Sequence, residues 1–240
     1  SRYTLAALMD DTRITDAWTA LSTGALSAGY CTAVAAAWGA GDGVRDVFAF
    51  GRHTPQPDAP VLGVEDRFDL ASVTKVLSTA AALALAYQCG KLDLDAALGD
   101  WPQVELPAPL HALTIRELVT HTSGLSNRKP GPALHDEAAL ANWIDQTPAP
   151  RGERRFCYAC INAVLAGRVA EVCLDRTLDE ILASTITRPL GLDGVRFGPL
   201  EDSRRTVPTK PDQPAGWISD EPAQAIGHPL GNAGLFASVL

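Results

Sequence analysis

No basic run, no uninterrupted apolar stretch and no even set of cysteines marks this sequence. Its 28 acidic side chains outnumber 20 basic ones, giving a formal net charge of −8 and a pI near 5.1. A nucleic-acid binder needs a basic patch to neutralise phosphates, so the charge balance argues against that class. The longest apolar-looking run, 76–87, contains Ser78 and Thr79 and lies between Lys75 and Lys91. It falls short of a membrane span. The opening residues SRYTLAALMDDTR hold no long apolar segment of the secretory-leader kind. The five cysteines (Cys31, Cys89, Cys157, Cys160 and Cys173) are irregularly spaced. They make no disulfide framework, and the expected compartment is a reducing cytoplasm. Internal repeats, low-complexity tracts and heptad seams are also lacking.

What is present reads as an ordinary globular chain, 46% hydrophobic and 20% charged over 240 residues, able to bury a substantial core. Ile14, Ala17, Trp18, Leu21 and Ala25 follow helical spacing and predict an opening amphipathic helix. CTAVAAAW (31–38) and VRDVFAFG (44–51) flank the turn GAGDG and predict a β-hairpin. After a proline-rich loop comes an alanine-rich helix that Gly90 can stop in a left-handed cap. TIRE (114–117) and TLDE (177–180) fit the capping box, with Gly124 expected to end the first of these helices. DEAALANWIDQ (136–146) and the segment from Ala159 to Cys173 predict two more helices. Residues 1–90 therefore read as the N-terminal part of an α/β domain and residues 91–240 as an α-rich domain. Two strands do not make a stable sheet, and the closing GLFASVL carries no clear strand run. The sheet is expected to be completed by a second chain or a downstream segment.

The segment EDRFDLASVTKVLSTAAALALAYQCGKLDLD, residues 65–95, places Ser72 three residues before Lys75 at the start of the alanine-rich helix. Serine is a weak nucleophile that needs an adjacent base. Residues i and i+3 share a helix face, and desolvation favours the neutral amine that can accept a hydroxyl proton. The helix N-terminus supplies N–H groups and positive potential for a developing oxyanion. S-x-x-K alone arises often by chance, so its context decides.

That context is FDLASVTK, then GKLDLD, LVTHTSGL (118–125), FCYACINAVLAG (156–167), RPLGL (188–192) and GNAGLFASVL (231–240). In this order and spacing the motifs resemble the serine β-lactamase and penicillin-binding protein superfamily, most of all its class C-like esterase, D-aminopeptidase and transacylase branch. The resemblance covers about residues 30 to 240. It implies an α+β fold, an antiparallel sheet flanked by helices plus an α-rich domain, with the C-terminal strands missing from this chain. It implies Ser72 as nucleophile, Lys75 as its base and Tyr158 as proton relay, with no cofactor. Cys160 stands where the family's Tyr-x-Asn motif has its asparagine, and a thiol is a poor substitute for an amide. The family's third motif, Lys-Thr-Gly or His-x-Gly, is not found. His228 in GHPLG is the nearest candidate, in a segment that resembles the stretch before the family's final strands.

Other residues draw plainer readings. Cys157 and Cys160 form a C-x-x-C without the second ligand pair that zinc or redox use requires, so they read as small packing residues and no metal is expected. His121 and Ser123 read as capping or core residues, and His53, His111 and His135 as surface residues. Trp143 and Trp217 read as core. The acidic pairs Asp10–Asp11 and Asp93–Asp95 read as solvated or turn-forming, without metal-loop spacing. The expected function is acyl transfer on an ester or amide of a small molecule through a Ser72 acyl-enzyme, as a cytoplasmic esterase, amidase or biosynthetic transacylase. The alternatives are a β-lactamase or DD-peptidase-type hydrolase and a non-catalytic binding protein of the same fold.

Overall fold

A computed structural model describes residues 11–41, 43–126, 137–147, 155–210 and 212–240. Asp10, Asp42 of the hairpin turn and His135 lie outside the described residues. The chain divides into two compact units, one of Ser1–Phe68, Glu201–Gly216 and Ala237–Leu240, the other of Asp69–Leu200 and Trp217–Phe236.

In the first unit the predicted helix α1 (Asp11–Ser27) precedes the predicted hairpin, β1 (Ala33–Ala40) and β2 (Gly43–Gly51). The strands pair antiparallel from Ala33↔Gly51 to Ala40↔Gly43, with a bulge between Trp38 and Gly39. Helix α1 is tied to this ribbon by polar and aromatic contacts. Thr15 Oγ1 donates to Asp46 Oδ2 at 2.8 Å and accepts from Trp38 Nε1 at 3.3 Å. The Trp18 and Phe48 rings lie 6.4 Å apart. The stripe is only partly covered, since Leu21 remains 66% exposed. His53, expected on the surface, is buried with its Nε2 2.8 Å from Asp66 Oδ2. The Gly63 N–H and Arg205 Nε also donate to that carboxylate. Burial pushes the Asp66 carboxyl up, but the hydrogen bonds from His53, Gly63 and Arg205 outweigh it and hold it below its usual range. A buried carboxylate needs such partners, and His53 is one of them.

The second unit begins at the end of β3 (Phe68–Asp69). A 3₁₀ turn (Ala71–Val73) passes through a π-helical stretch (Lys75–Ala80) into α2 (Ala81–Gln88), which Gly90 closes at φ +69° as predicted. Then come α3 (Ile115–Val119), α4 (Glu137–Asp145), α5 (Cys160–Leu174), α6 (Leu178–Leu182), α7 (Arg188–Leu190), β4 (Arg196–Phe197), α8 (Glu221–Ile226) and β5 (Leu235–Ala237). Both predicted capping boxes form. Thr114 Oγ1 accepts from the Glu117 N–H at 3.2 Å while Glu117 Oε2 accepts from the Thr114 N–H at 2.9 Å. The Thr177 N–H donates to Glu180 Oε2 at 3.1 Å. Contrary to expectation, GLFASVL does hold a strand, which pairs antiparallel with β4. Strands of two or three residues show no alternation for a sequence pattern to register.

Helix α5 is the axis of this unit's core. Ile161, Val164, Leu165 and Val169 are buried on several of its faces, which packs it against neighbours rather than leaving a solvent stripe. The segment GNAGLF runs so close to α5 that a Cβ on Gly231 would sit 2.1 Å from the Ala163 carbonyl oxygen. Neither backbone can retreat cheaply. Gly231→Ala is therefore expected to destabilise the protein by about 1–3 kcal/mol, the usual scale of an overpacked core. Chemical denaturation checks this, and an unchanged midpoint would contradict the contact.

Candidate active site

The residues at the entry to the Ser72 helix are held by one carboxylate. Asp69 Oδ1 accepts the Ala71 N–H at 2.8 Å and its Oδ2 accepts the Ser219 N–H at 2.6 Å. Ala71 adopts a left-handed φ of +44°, a conformation an alanine rarely takes, immediately before Ser72. Backbone strain and a π-helical turn at the same place are features that cluster at functional sites.

Ser72 and Lys75 come together as the motif predicts. Lys75 Nζ donates to Ser72 Oγ at 2.7 Å, and Tyr158, 86 residues further on, donates its phenolic O–H to the same Oγ at 2.8 Å. Lys75 also donates to the backbone carbonyl of Asn232 at 2.9 Å, lies 3.8 Å from Cys160 Sγ and stands 5.1 Å from the centroid of the Tyr158 ring. Cys160 thus sits against the lysine, at the first position of α5. The strong hydrogen bond on that side of the amine comes from a main-chain oxygen. Two threonines of the same helix secure that strand segment. Thr79 Oγ1 donates to the Gly231 carbonyl at 2.7 Å, and Thr74 Oγ1 accepts the Leu235 N–H at 3.1 Å. Sequence reasoning missed this role of GNAGLF, although its glycines mark a close backbone approach.

His121 is the other residue the sequence undervalued. Helix α3 ends at Thr120, before Gly124, and the left-handed residue after it is His121 at φ +55°. The Thr122 N–H bonds to the Glu117 carbonyl at 2.9 Å and the His121 N–H to the Leu118 carbonyl at 3.1 Å, a Schellman closure with histidine where glycine is usual. That backbone costs a non-glycine residue about 1–2 kcal/mol. The His121 carbonyl accepts the Cys157 N–H at 2.8 Å, and its Nδ1 faces the Ala159 N–H at 3.3 Å and Asn162 Nδ2 at 3.1 Å. Its ring lies 4.7 Å from that of Tyr158. Asn162 is oriented in turn by Ser123 Oγ, which donates to Asn162 Oδ1 at 2.7 Å.

A cavity of about 290 Å³ opens from Ser72 along the seam between the Ser72 helix, α3 and α5. Its walls are mainly Val76, Ala80, Leu83, Leu118, Val119 and Ala163. A larger cavity of about 680 Å³, lined by Arg168, Glu171 and Glu180 among others, contains no residue of the Ser72 cluster. His228, Trp143 and Trp217 lie outside the Ser72 cavity, and Trp217, expected in the core, is 46% exposed. No group of three or more His, Cys, Asp or Glu side chains among the described residues is arranged to hold a metal. No described helix is long and apolar enough to cross a membrane.

The chain belongs to the Beta-lactamase family, whose model matches residues 10–239. Its fold is similar to that of a β-lactamase from Sulfitobacter sp. EE-36, with 20% identity, a TM-score of 0.72 and coverage of 96% of this chain and 62% of that one. The octameric penicillin-binding protein homologue from Pyrococcus abyssi matches with 19% identity and a TM-score of 0.72, over 96% of this chain and 54% of that one. Among curated proteins, the "Putative D-alanyl-D-alanine carboxypeptidase" of Escherichia coli O157:H7 is 28% identical over 148 residues, 55% of this chain and 34% of that protein. The chain thus spans about a third of that curated relative and just over half to three-fifths of those solved structures. The α+β, β-lactamase-like fold expected from the motifs is the fold observed.

The contacts of His121 have a consequence in solution. Burial foremost, and the Lys75 charge next, hold its imidazole below the ordinary value of 6.5. Below about pH 6.5 the unfolded chain then binds more protons than the folded one, so stability falls as pH drops. Denaturation of the wild type and His121→Asn between about pH 7 and pH 5 should show the wild type losing more stability. Parallel curves would show that the imidazole is not held neutral by folding.

Proposed function

We propose that the protein is a serine acyl-transfer enzyme working through an acyl-enzyme on Ser72. The observation that carries this reading is the Ser72 oxygen held at 2.7 Å from the Lys75 amine and 2.8 Å from the Tyr158 phenol. With the amine unprotonated, Ser72 gives its proton to Lys75 Nζ as Oγ bonds to the carbonyl carbon of an ester or amide. The carbonyl electrons move onto the oxygen, which the Ser72 N–H stabilises near the start of its helical turn. The proton taken up by Lys75 passes through the Tyr158 hydroxyl, which gives its own proton to the departing alcohol or amine and regains one from the lysine, and the tetrahedral intermediate collapses to the acyl-enzyme. Water then releases an acid, or an acceptor alcohol or amine takes the acyl group.

The cavity indicates which acyl groups suit the site. Its polar residues are engaged by the protein: Thr79 donates to Gly231, Asn162 bonds His121 and Ser123, and Lys75 bonds Ser72 and Asn232. Apart from the His121 and Tyr158 rings, the remaining wall is methyl and methylene, which favours an aliphatic acyl chain over a peptide-like one. A thiol at Cys160, in the place of an amide, favours the same side, an esterase or transacylase. The name of the curated relative favours the alternative, a hydrolase of the DD-peptidase type.

An activated ester and a β-lactam, each followed by intact-protein mass spectrometry, test the reading. Ser72 should acquire the acyl mass and Ser72→Ala should not. Tyr158→Phe should slow acylation by about 10²–10⁴-fold, the usual weight of a positioned proton carrier. Absence of any Ser72 adduct with both reagents would dispose of the acyl-enzyme. Across alkanoyl esters, kcat/KM should rise roughly fourfold per added methylene until the cavity is full. A flat series would remove the aliphatic preference and leave the Ser72 chemistry standing.

A further inference from the structure

We infer that His121 is a positioning residue for Tyr158: it holds the tyrosine's two neighbouring main-chain amides and so sets the phenol against Ser72. The inference deepens the acyl-transfer reading and rests on it for its kinetic arm only.

Four features converge on this one residue. Tyr158 is preceded by Cys157, whose N–H goes to the His121 carbonyl, and followed by Ala159, whose N–H faces His121 Nδ1. One residue therefore grips the chain on both sides of the phenol. The imidazole also lies along the tyrosine ring, at 4.7 Å between centroids, and limits its swing. Asn162, one turn into α5, reaches the same Nδ1 with Nδ2, and Ser123 fixes its orientation. Those two donors require an Nδ1 without a proton, so the histidine serves as an acceptor, its remaining proton on Nε2. Finally, the backbone of His121 occupies a left-handed position that glycine would fill without strain. Helix termination by itself gives no reason for histidine there, whereas an acceptor aimed at residues 159 and 162 does.

The segment from Phe156 to Tyr158 is irregular and exposed, Tyr158 itself being 41% accessible. Nothing in local secondary structure fixes the phenol, and Phe156 touches His121 only edge-on, with ring centroids 6.1 Å apart. A proton carrier displaced by about 1 Å loses on the order of a hundredfold in rate. Since the hydrogen bond from Tyr158 to Ser72 spans 2.8 Å, any loosening acts directly on the proposed relay.

Two substitutions separate positioning from mere helix capping. Glycine accepts the left-handed backbone and removes the imidazole. Asparagine tolerates that backbone and offers Oδ1 close to where Nδ1 stands. His121→Gly should lower the kcat of activated-ester turnover by about ten- to a hundredfold with KM changed less than about threefold. His121→Asn should recover most of that loss, although both variants keep the helix end. Crystal structures of the two supply a readout independent of turnover: the Tyr158 Oη–Ser72 Oγ hydrogen bond should be lost in the glycine variant and kept in the asparagine variant. If the glycine variant retains both its kcat and that hydrogen bond, or if asparagine is as impaired as glycine, His121 does not position Tyr158. If the wild type itself forms no Ser72 adduct, the acyl-enzyme reading falls, while the two structures still decide whether His121 sets the phenol.

Discussion

The amine of Lys75 is the junction on which the site depends. A lysine amine sits at the end of a flexible four-carbon stem, so its position is fixed only if surrounding groups hold it. Here Ser72 Oγ and the Asn232 carbonyl hold it, and the sulfur of Cys160 lies on another side at a longer reach. The carbonyl matters because it belongs to main chain that is itself pinned. Thr79 and Thr74, on the same helix as the lysine, hold the backbone at Gly231 and Leu235. The helix of Ser72 thus builds the support for Lys75, and the geometry at Ser72 follows from packing rather than from one long flexible side chain finding a partner.

The same packing explains the unusual backbone nearby. Helix α5, the π-helical turn at Lys75–Ala80 and the GNAGLF segment approach one another closely enough that small residues dominate their seams. Close approach anchors Lys75, and small side chains leave the cavity beside Ser72 unfilled. Anchoring and open space are two results of one compositional choice, the alanine and glycine content of these segments. Ala71 and His121 hold strained backbone at the two ends of this arrangement, one before Ser72 and one beside Tyr158. Surrounding hydrogen bonds hold each in place: Asp69 bonds the Ala71 N–H, and a complete Schellman pair surrounds His121.

Much of the fold could be read from the residues because its signals are local. The hairpin, the capping boxes, Gly90 and the Ser72–Lys75 pair all involve residues within a few positions of one another. Tyr158 was legible only through the family motif, since nothing local marks a tyrosine that meets its partner across 86 residues. The remainder was hidden for definable reasons. Gly124 is the stronger sequence signal for a helix end, so the left-handed histidine three residues earlier went unread. His53 looks exposed beside prolines, and its burial follows from an Asp66 carboxylate drawn in by Arg205 and Gly63. The strand at Leu235–Ala237 is too short to carry a period. Each miss concerns an interaction whose partner lies far along the chain or whose strain is compensated elsewhere.

Cys160 gives the divergence from the family motif its physical meaning. An amide at that place would offer both a donor and an acceptor, one toward the lysine and one toward a substrate amide. A thiol offers little of either, so an acyl group bearing its own amide would meet an unsatisfied contact on desolvation, and such a contact costs about 1–3 kcal/mol. An acyl group without polar atoms would meet no such penalty, and the methyl-lined cavity beside Ser72 would add favourable contact. The loss at one position and the emptiness of the neighbouring seam act in the same direction. The lysine, meanwhile, does not lose its anchor with the amide, because the Asn232 carbonyl supplies it. Under the proposed acyl transfer, substrate preference and proton transfer would therefore be separable in this site: the residue that departs from the motif would alter the first, while the groups of the second stay within hydrogen-bond distance.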